Sequence, residues 1–158
     1  MGSARPRKHT AVQVTQNFRN IDVSLSKLEK LVRSICSRFK LSKITVSIAI
    51  VDDSEIRRIN KKFLNRKNPC DCLSFDLSDD ENGKSFELVV NGEMAVREAT
   101  VRGHSSEAEL ALYVTHCLLH NLGFNDSTKS NAKKMHEAED EILQQLGYGL
   151  VYNSWFLV

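Results

Sequence analysis

The chain has 158 residues, 41% of them hydrophobic and 27% charged, the make-up of an ordinary globular domain. A domain of that length buries roughly 70% of its unfolded surface without staples, and no apolar run approaches the roughly 20 residues that a membrane span requires. The formal net charge of +2 comes from the N-terminal stretch: without Arg5, Arg7 and Lys8, 19 basic residues face 20 acidic ones, a net of −1. That balance excludes a generally basic nucleic-acid binder and leaves only local clusters to hold a polyanion.

Residues 1–9 read as a flexible basic tail or an expression scar, and 10–158 as one domain. The opening residues lack the apolar stretch of a signal peptide, so a cytoplasmic location is expected. There the four cysteines, Cys36, Cys70, Cys72 and Cys117, are expected to be reduced thiols with no disulfide partner. The spacing of Cys70 and Cys72 matches none of the common zinc signatures.

In chain order, Thr10 to Thr15 alternates polar and β-branched residues and predicts a strand. Ser24 can cap a helix running to about Lys40, with Leu25, Leu28, Leu31, Val32, Ile35 and Phe39 at helical spacing. Ile44 to Val51 alternates strictly at first and is the clearest strand. Asp52, Asp53 or Ser54 then caps a second helix through Ile56, Ile59 and Phe63. Along it and just beyond, Arg57, Arg58, Lys61, Lys62, Arg66 and Lys67 fall within eleven residues. A charge run is ordinarily a solvated face, and a polyanion site is the alternative.

Leu73 to Phe75 predicts a short strand, and Glu87 to Val96 another, after an Asn82-Gly83 turn. Ser106 and Glu109 have the spacing of a capping box, opening an apolar helix that stops at Gly123. Thr128 to Leu146 is the last helix, ended by Gly147. His136 is expected near its surface beside Glu137, and His104 is expected to face solvent. The apolar end, Trp155 to Val158, is expected to fold back on the domain. The sum is an α+β domain: a small mixed sheet of about four strands covered by four to five helices.

The chemistry concentrates in Leu110-Ala-Leu-Tyr-Val-Thr-His116-Cys-Leu-Leu-His120-Asn-Leu-Gly123-Phe-Asn-Asp126. On a helix, His116 and His120 stand one turn apart on one face, at the end of a central apolar helix. A single histidine on an apolar helix is usually a hydrogen-bonded core residue. Two at this spacing, followed by a glycine break and a carboxylate, form a more specific pattern. The break at Gly123 lets Asp126 swing back, and two imidazoles with one carboxylate suit zinc or another divalent transition metal. Asp126 can equally cap the next helix, and Asn125 can play either part. Glu109, two turns before His116, can orient a ligand histidine, although its capping role fits better. Cys117 stands where a zincin protease carries its glutamate, which argues against peptide hydrolysis.

These residues resemble the YbeY family of ribosomal-RNA-maturation endoribonucleases, over about Val12 to Tyr148. The family signature His-Gly-x-Leu-His-x-x-Gly-(Tyr/Phe)-Asp-His is matched by His116 to Asp126. The block Thr-Asp-Val-Leu-Ser-Phe is matched by Cys70-Asp71-Cys72-Leu73-Ser74-Phe75. Gly-Asp-Ile before an aliphatic strand is matched by Gly92-Glu93-Met94-Ala95-Val96. The resemblance implies one divalent metal ion, zinc first, and single-strand-specific cleavage of RNA. It also implies ribosomal RNA and the small ribosomal subunit as partners, in 16S rRNA maturation and ribosome quality control.

Two departures fall on catalytic parts. Asp126 replaces the family's third histidine ligand, and Leu64 stands where the family has an arginine that acts on the phosphate. Arg66, two residues on, is the candidate substitute and so the candidate catalytic residue. Arg57, Lys61 and Lys67 are candidates to hold RNA phosphates, and Ser74 and Phe75 can line the cleft, Phe75 equally being plain core. The rival expectation is an RNA- or ribosome-binding homologue with a weakened site. A third is a metal-dependent hydrolase of another substrate.

Overall fold

A computed structural model describes residues 9–65, 70–79, 81 and 83–149. Four strands, β1 (His9–Gln16), β2 (Lys43–Val51), β3 (Cys72–Asp76) and β4 (Lys84–Asn91), form one sheet in the order β1-β2-β4-β3. The first three in that order run parallel, and β3 closes the edge antiparallel to β4. Five helices accompany it: α1 (Leu25–Arg38), α2 (Asp53–Leu64), α3 (Gly92–Arg102), α4 (Ser106–Asn121) and α5 (Lys129–Gln145). The expected α+β architecture, a mixed four-stranded sheet with helices over it, is what the chain forms.

Alternation in β2 decides which face is dry. Ile44, Val46, Ile48 and Ile50 are buried together with Phe86, Leu88 and Val90 of β4, their register partners or next neighbours. That face carries the main core with α1, α4 and α5, while Ile56 of α2 joins Val51, Leu73 and Val89 in a smaller cluster. Between Ala108 and Leu119, α4 is buried at every residue but His116. A helix apolar all round can only sit inside, and this one runs through the centre of the domain.

Several boundaries differ from the sequence reading. The apolar run expected as a strand from Glu87 to Val96 stops at Asn91, and α3 begins at Gly92. The Asn91 side chain causes the switch: its Oδ1 accepts from the Met94 amide at 2.9 Å, capping α3. Asn91 Nδ2 donates to Asp53 at 2.7 Å and to the Cys70 carbonyl at 3.2 Å. Gly92 is forced by space, since a Cβ there would stand 2.8 Å from Ile50 Cγ2 and 2.9 Å from a Phe18 ring carbon.

The cap of α4 is Ser105, whose hydroxyl accepts from the Ala108 amide, and not Ser106. Glu109 therefore has no capping role. It is fully buried, with Oε2 accepting from Arg102 at 2.9 Å and Oε1 2.6 Å from His104 Nε2. His104 is accordingly tucked against the helix and not turned to solvent. Asn82 of the expected turn and the segment Trp155 to Val158 lie outside the described residues.

The cysteines also need correction. Cys72 of β3 and Cys117 of α4 form a disulfide, with Cα atoms 6.5 Å apart. Strand β3 lies against α4, and Cys72 points to that face while Leu73 points to the other, so the two sulfurs meet. A pair 45 residues apart leaves no trace in sequence spacing. Cys36 stays outside the disulfide, and burial pushes its thiol up to about 11 against a smaller opposing influence of Arg33. The unfolded chain should titrate two fewer thiols before reduction than after it, as read by a thiol-reactive dye in denaturant. Equal counts would show Cys72 and Cys117 to be unbonded.

Candidate metal centre

His116 and His120 project from the last two turns of α4 with their Nε2 atoms 3.0 Å apart and their rings edge to face. The other nitrogen of each ring is engaged. His120 Nδ1 lies 3.1 Å from the Phe124 carbonyl, which can only accept, so this nitrogen donates and Nε2 is the acceptor of the neutral ring. His116 Nδ1 lies 2.8 Å from Oε1 of Glu139, a carboxylate 1% exposed. It too donates, which leaves the Nε2 of the neutral ring as an acceptor. Two lone pairs aimed into one space repel unless a Lewis acid or a proton stands between them. A separation of 3.0 Å suits two nitrogens each bound at about 2.0–2.1 Å to one zinc.

The loop after α4 supplies the third group. Gly123 has a φ of +101°, a left-handed conformation that glycine tolerates and which starts the reversal. The Phe124 ring packs edge-on against Phe39 at 5.7 Å, which fixes the carbonyl that His120 uses. Asn125 Oδ1 accepts from the Ser127 amide, the Ser127 hydroxyl and Asn131 Nδ2, holding the turn closed. Thr128 caps α5 through the Asn131 amide. Asn125 ties the turn and Thr128 is the cap, so neither Asn125 nor Asp126 caps α5. Asp126 brings a carboxylate oxygen within 4.8 Å of the two histidine donors, and the three could hold one metal ion.

A cleft of about 330 Å³ opens onto His116 and Asp126, lined also by Asp71, Leu112, Tyr113, His136 and Glu139. Burial alone would lower the His116 pKa, but the hydrogen bond and charge of Glu139, aided by Asp71 and Asp126, carry it above the usual 6.5. Burial and the neighbouring Glu109 push the Tyr113 phenol far above its ordinary range, so it stays protonated.

Three participants escaped the sequence reading. Glu139 lies on the buried stripe of α5 with Met135, Ile142 and Leu143. A carboxylate on an apolar stripe was the available signal. Asp71, at the entry to β3, is held by the Cys72 amide on its Oδ1 and by the Asn91 amide on its carbonyl. Contrary to expectation, His136 is not a surface residue beside Glu137. Its side chain is 23% exposed, with Nδ1 3.7 Å from Glu139 Oε2.

The RNA-holding candidates divide differently. Arg57 and Lys61 are exposed on α2, and Leu64 at its end is 44% exposed. Arg66 and Lys67 lie outside the described residues. Ser74 and Phe75 are half-buried on β3, Phe75 against Phe63 at 5.9 Å and on the side of the smaller core. Neither lines the cleft.

A helix-borne pair of histidines, a loop carboxylate and a buried carboxylate behind one ring define a candidate metal centre in an α+β domain. The model of the family "Endoribonuclease YbeY" matches residues 12–147, and the chain belongs to this family. The endoribonuclease YbeY of Caldicellulosiruptor bescii is 32% identical over 86% of this chain and 96% of its own. That of Aquifex aeolicus is 29% identical over 95% and 100%. The solution structure of TM1509 from Thermotoga maritima has the same fold, with a TM-score of 0.57 at 22% identity over 85% of this chain and 90% of that one.

Proposed function

We propose that this chain is a metal-dependent endoribonuclease that hydrolyses single-stranded RNA, with His116, His120 and Asp126 as ligands of one divalent ion, zinc first. The observation that carries the reading is the pair of Nε2 atoms 3.0 Å apart, each ring held by a protein acceptor on its far side. Such second-sphere acceptors orient ligand histidines and raise their basicity. The name shared by the family's relatives supplies the substrate class.

A divalent ion bound there supplies Lewis-acid polarisation of a phosphoryl oxygen and a more acidic water. The residues of the chain do the rest. Glu139 holds the His116 ring, the Phe124 carbonyl holds that of His120, and Leu112 gives the cleft an apolar wall. Exposed Arg57 and Lys61, with Arg66 and Lys67 beyond α2, attract the RNA backbone, Arg66 taking the place of the arginine lost at Leu64. Maturation of 16S ribosomal RNA and quality control of the small subunit, in the cytoplasm, are the setting.

The test is cleavage of single-stranded ribosomal RNA by the full chain, with a chelator control and the His116→Ala, His120→Ala double variant. Cleavage that stops in both supports the reading. Cleavage unchanged in the double variant overturns it. An RNA-binding protein with a weakened site is the second reading, favoured by the exposed apolar Leu64 where the family places a cation. It predicts RNA binding without turnover in the same assay.

A further inference from the structure

The apolar stripe of α2 outruns the core it helps to build. Ile56 is fully buried and Ile59 half-buried, whereas Phe63, one turn further along the same face, is 61% exposed. Its ring meets Phe75 of β3 edge-on at 5.9 Å, so it is braced yet largely open. Lys62 Nζ stands 5.3 Å from the ring centroid, and Leu64 is 44% exposed. The charge along this helix is one-sided. Asp53 is paired with Arg97 and Glu55 with Arg58, while exposed Arg57, Lys61 and Lys62 have no carboxylate partner among the described residues. In a chain otherwise balanced between acids and bases, unneutralised cations share one short helix with an open aromatic.

We infer that Phe63 is a stacking platform for an unpaired base of the RNA, with Lys62, Lys61 and Arg57 attracting the phosphates around it. This rests on the RNA-cleavage reading above and adds a source for its single-strand preference, since a base inside a duplex has no free face to offer. A nucleobase is flat and apolar on its face, and its strand carries a charge at every phosphate. One ligand therefore satisfies both the ring and the cations, the combination by which proteins hold single strands without reading their sequence. Strand β3 joins this platform to the cleft. Phe75, in contact with Phe63, stands four residues after Asp71 of the cleft wall, about 13 Å along an extended chain. Because β3 is the edge of the sheet, RNA leaving the cleft would pass over that edge to reach α2. The stacked base is thus a flanking one, away from the scissile bond.

The zinc-loaded full chain is titrated into a dye-labelled single-stranded RNA and into an abasic strand of the same length, which keeps the phosphates and lacks the bases. Initial fluorescence anisotropy reads binding, and a gel of the same samples reads cleavage. Removing one base–aromatic stack weakens binding by about 5- to 150-fold. Phe63→Ala is expected to lose RNA affinity by a factor in that range and to bind the abasic strand as the wild type does. Phe63→Leu, which keeps an apolar contact with Phe75, is expected to lose nearly as much, and Phe63→Trp to retain binding. An equal loss on both strands in Phe63→Ala would reduce the residue to a support of α2 and overturns the inference. So does unchanged RNA affinity in that variant, the result expected if the patch docks a protein instead. If binding depends on Phe63 but the wild type does not cleave, the platform stands and only the cleavage reading fails. A wild-type chain that binds neither strand sinks both.

Discussion

Replacing Glu139 by alanine is expected to weaken zinc binding by about 10–100-fold, the usual cost of removing a second-sphere acceptor from a ligand histidine. The His116 ring would lose the group that fixes its tautomer, and Nε2 would no longer be held as the acceptor facing His120 Nε2 at 3.0 Å. Glu139→Gln should be milder, because the amide oxygen can still accept from Nδ1 and only the charge is lost. Competition titration against a zinc-chelating dye gives both affinities. Equal, wild-type affinity in both variants would show that the carboxylate serves α5 packing alone.

Glu109→Ala is expected to destabilise the fold by about 3–5 kcal/mol, the range for removing one partner of a buried ion pair. The carboxylate has no exposed surface, and Arg102, which it holds, is only 15% exposed. His104 packs on its other oxygen at 2.6 Å, so α3, the following turn and α4 converge on this single group. At roughly 2–4 °C per kcal/mol for a chain of this size, the thermal midpoint should fall by about 10 °C. Metal content should be unchanged, because Glu109 reaches neither histidine of the centre. A midpoint within about 2 °C of wild type would contradict this account of α4.

What could be read beforehand depended on whether a residue's role was local. Alternation in β2, the all-apolar α4 and the i, i+4 histidines depend on near neighbours, and each appears where expected. Helix α3 was missed because Val89 and Val90 were joined to Met94, Ala95 and Val96 as one strand across Asn91-Gly92, a turn signal of the same kind as Asn82-Gly83. The break is made by Asn91, whose cap and two further hydrogen bonds exist only once Asp53 and Cys70 have come alongside. Glu109 fits a capping box by spacing, yet a one-residue shift of the cap to Ser105 sends it into the core. Glu139 and the Cys72–Cys117 bond are long-range meetings, 23 residues from His116 in one case and 45 apart in the other, and no local pattern encodes them.

The central claim is that two imidazoles one helical turn apart share a single cation. Elemental analysis and calorimetric zinc titration of the purified full chain, beside the His116→Ala, His120→Ala variant, test it most directly. The account predicts one zinc per chain in the wild type and none in a double variant that remains folded by circular dichroism. A wild-type chain that takes up no divalent ion, or a double variant that binds one as tightly, would contradict it.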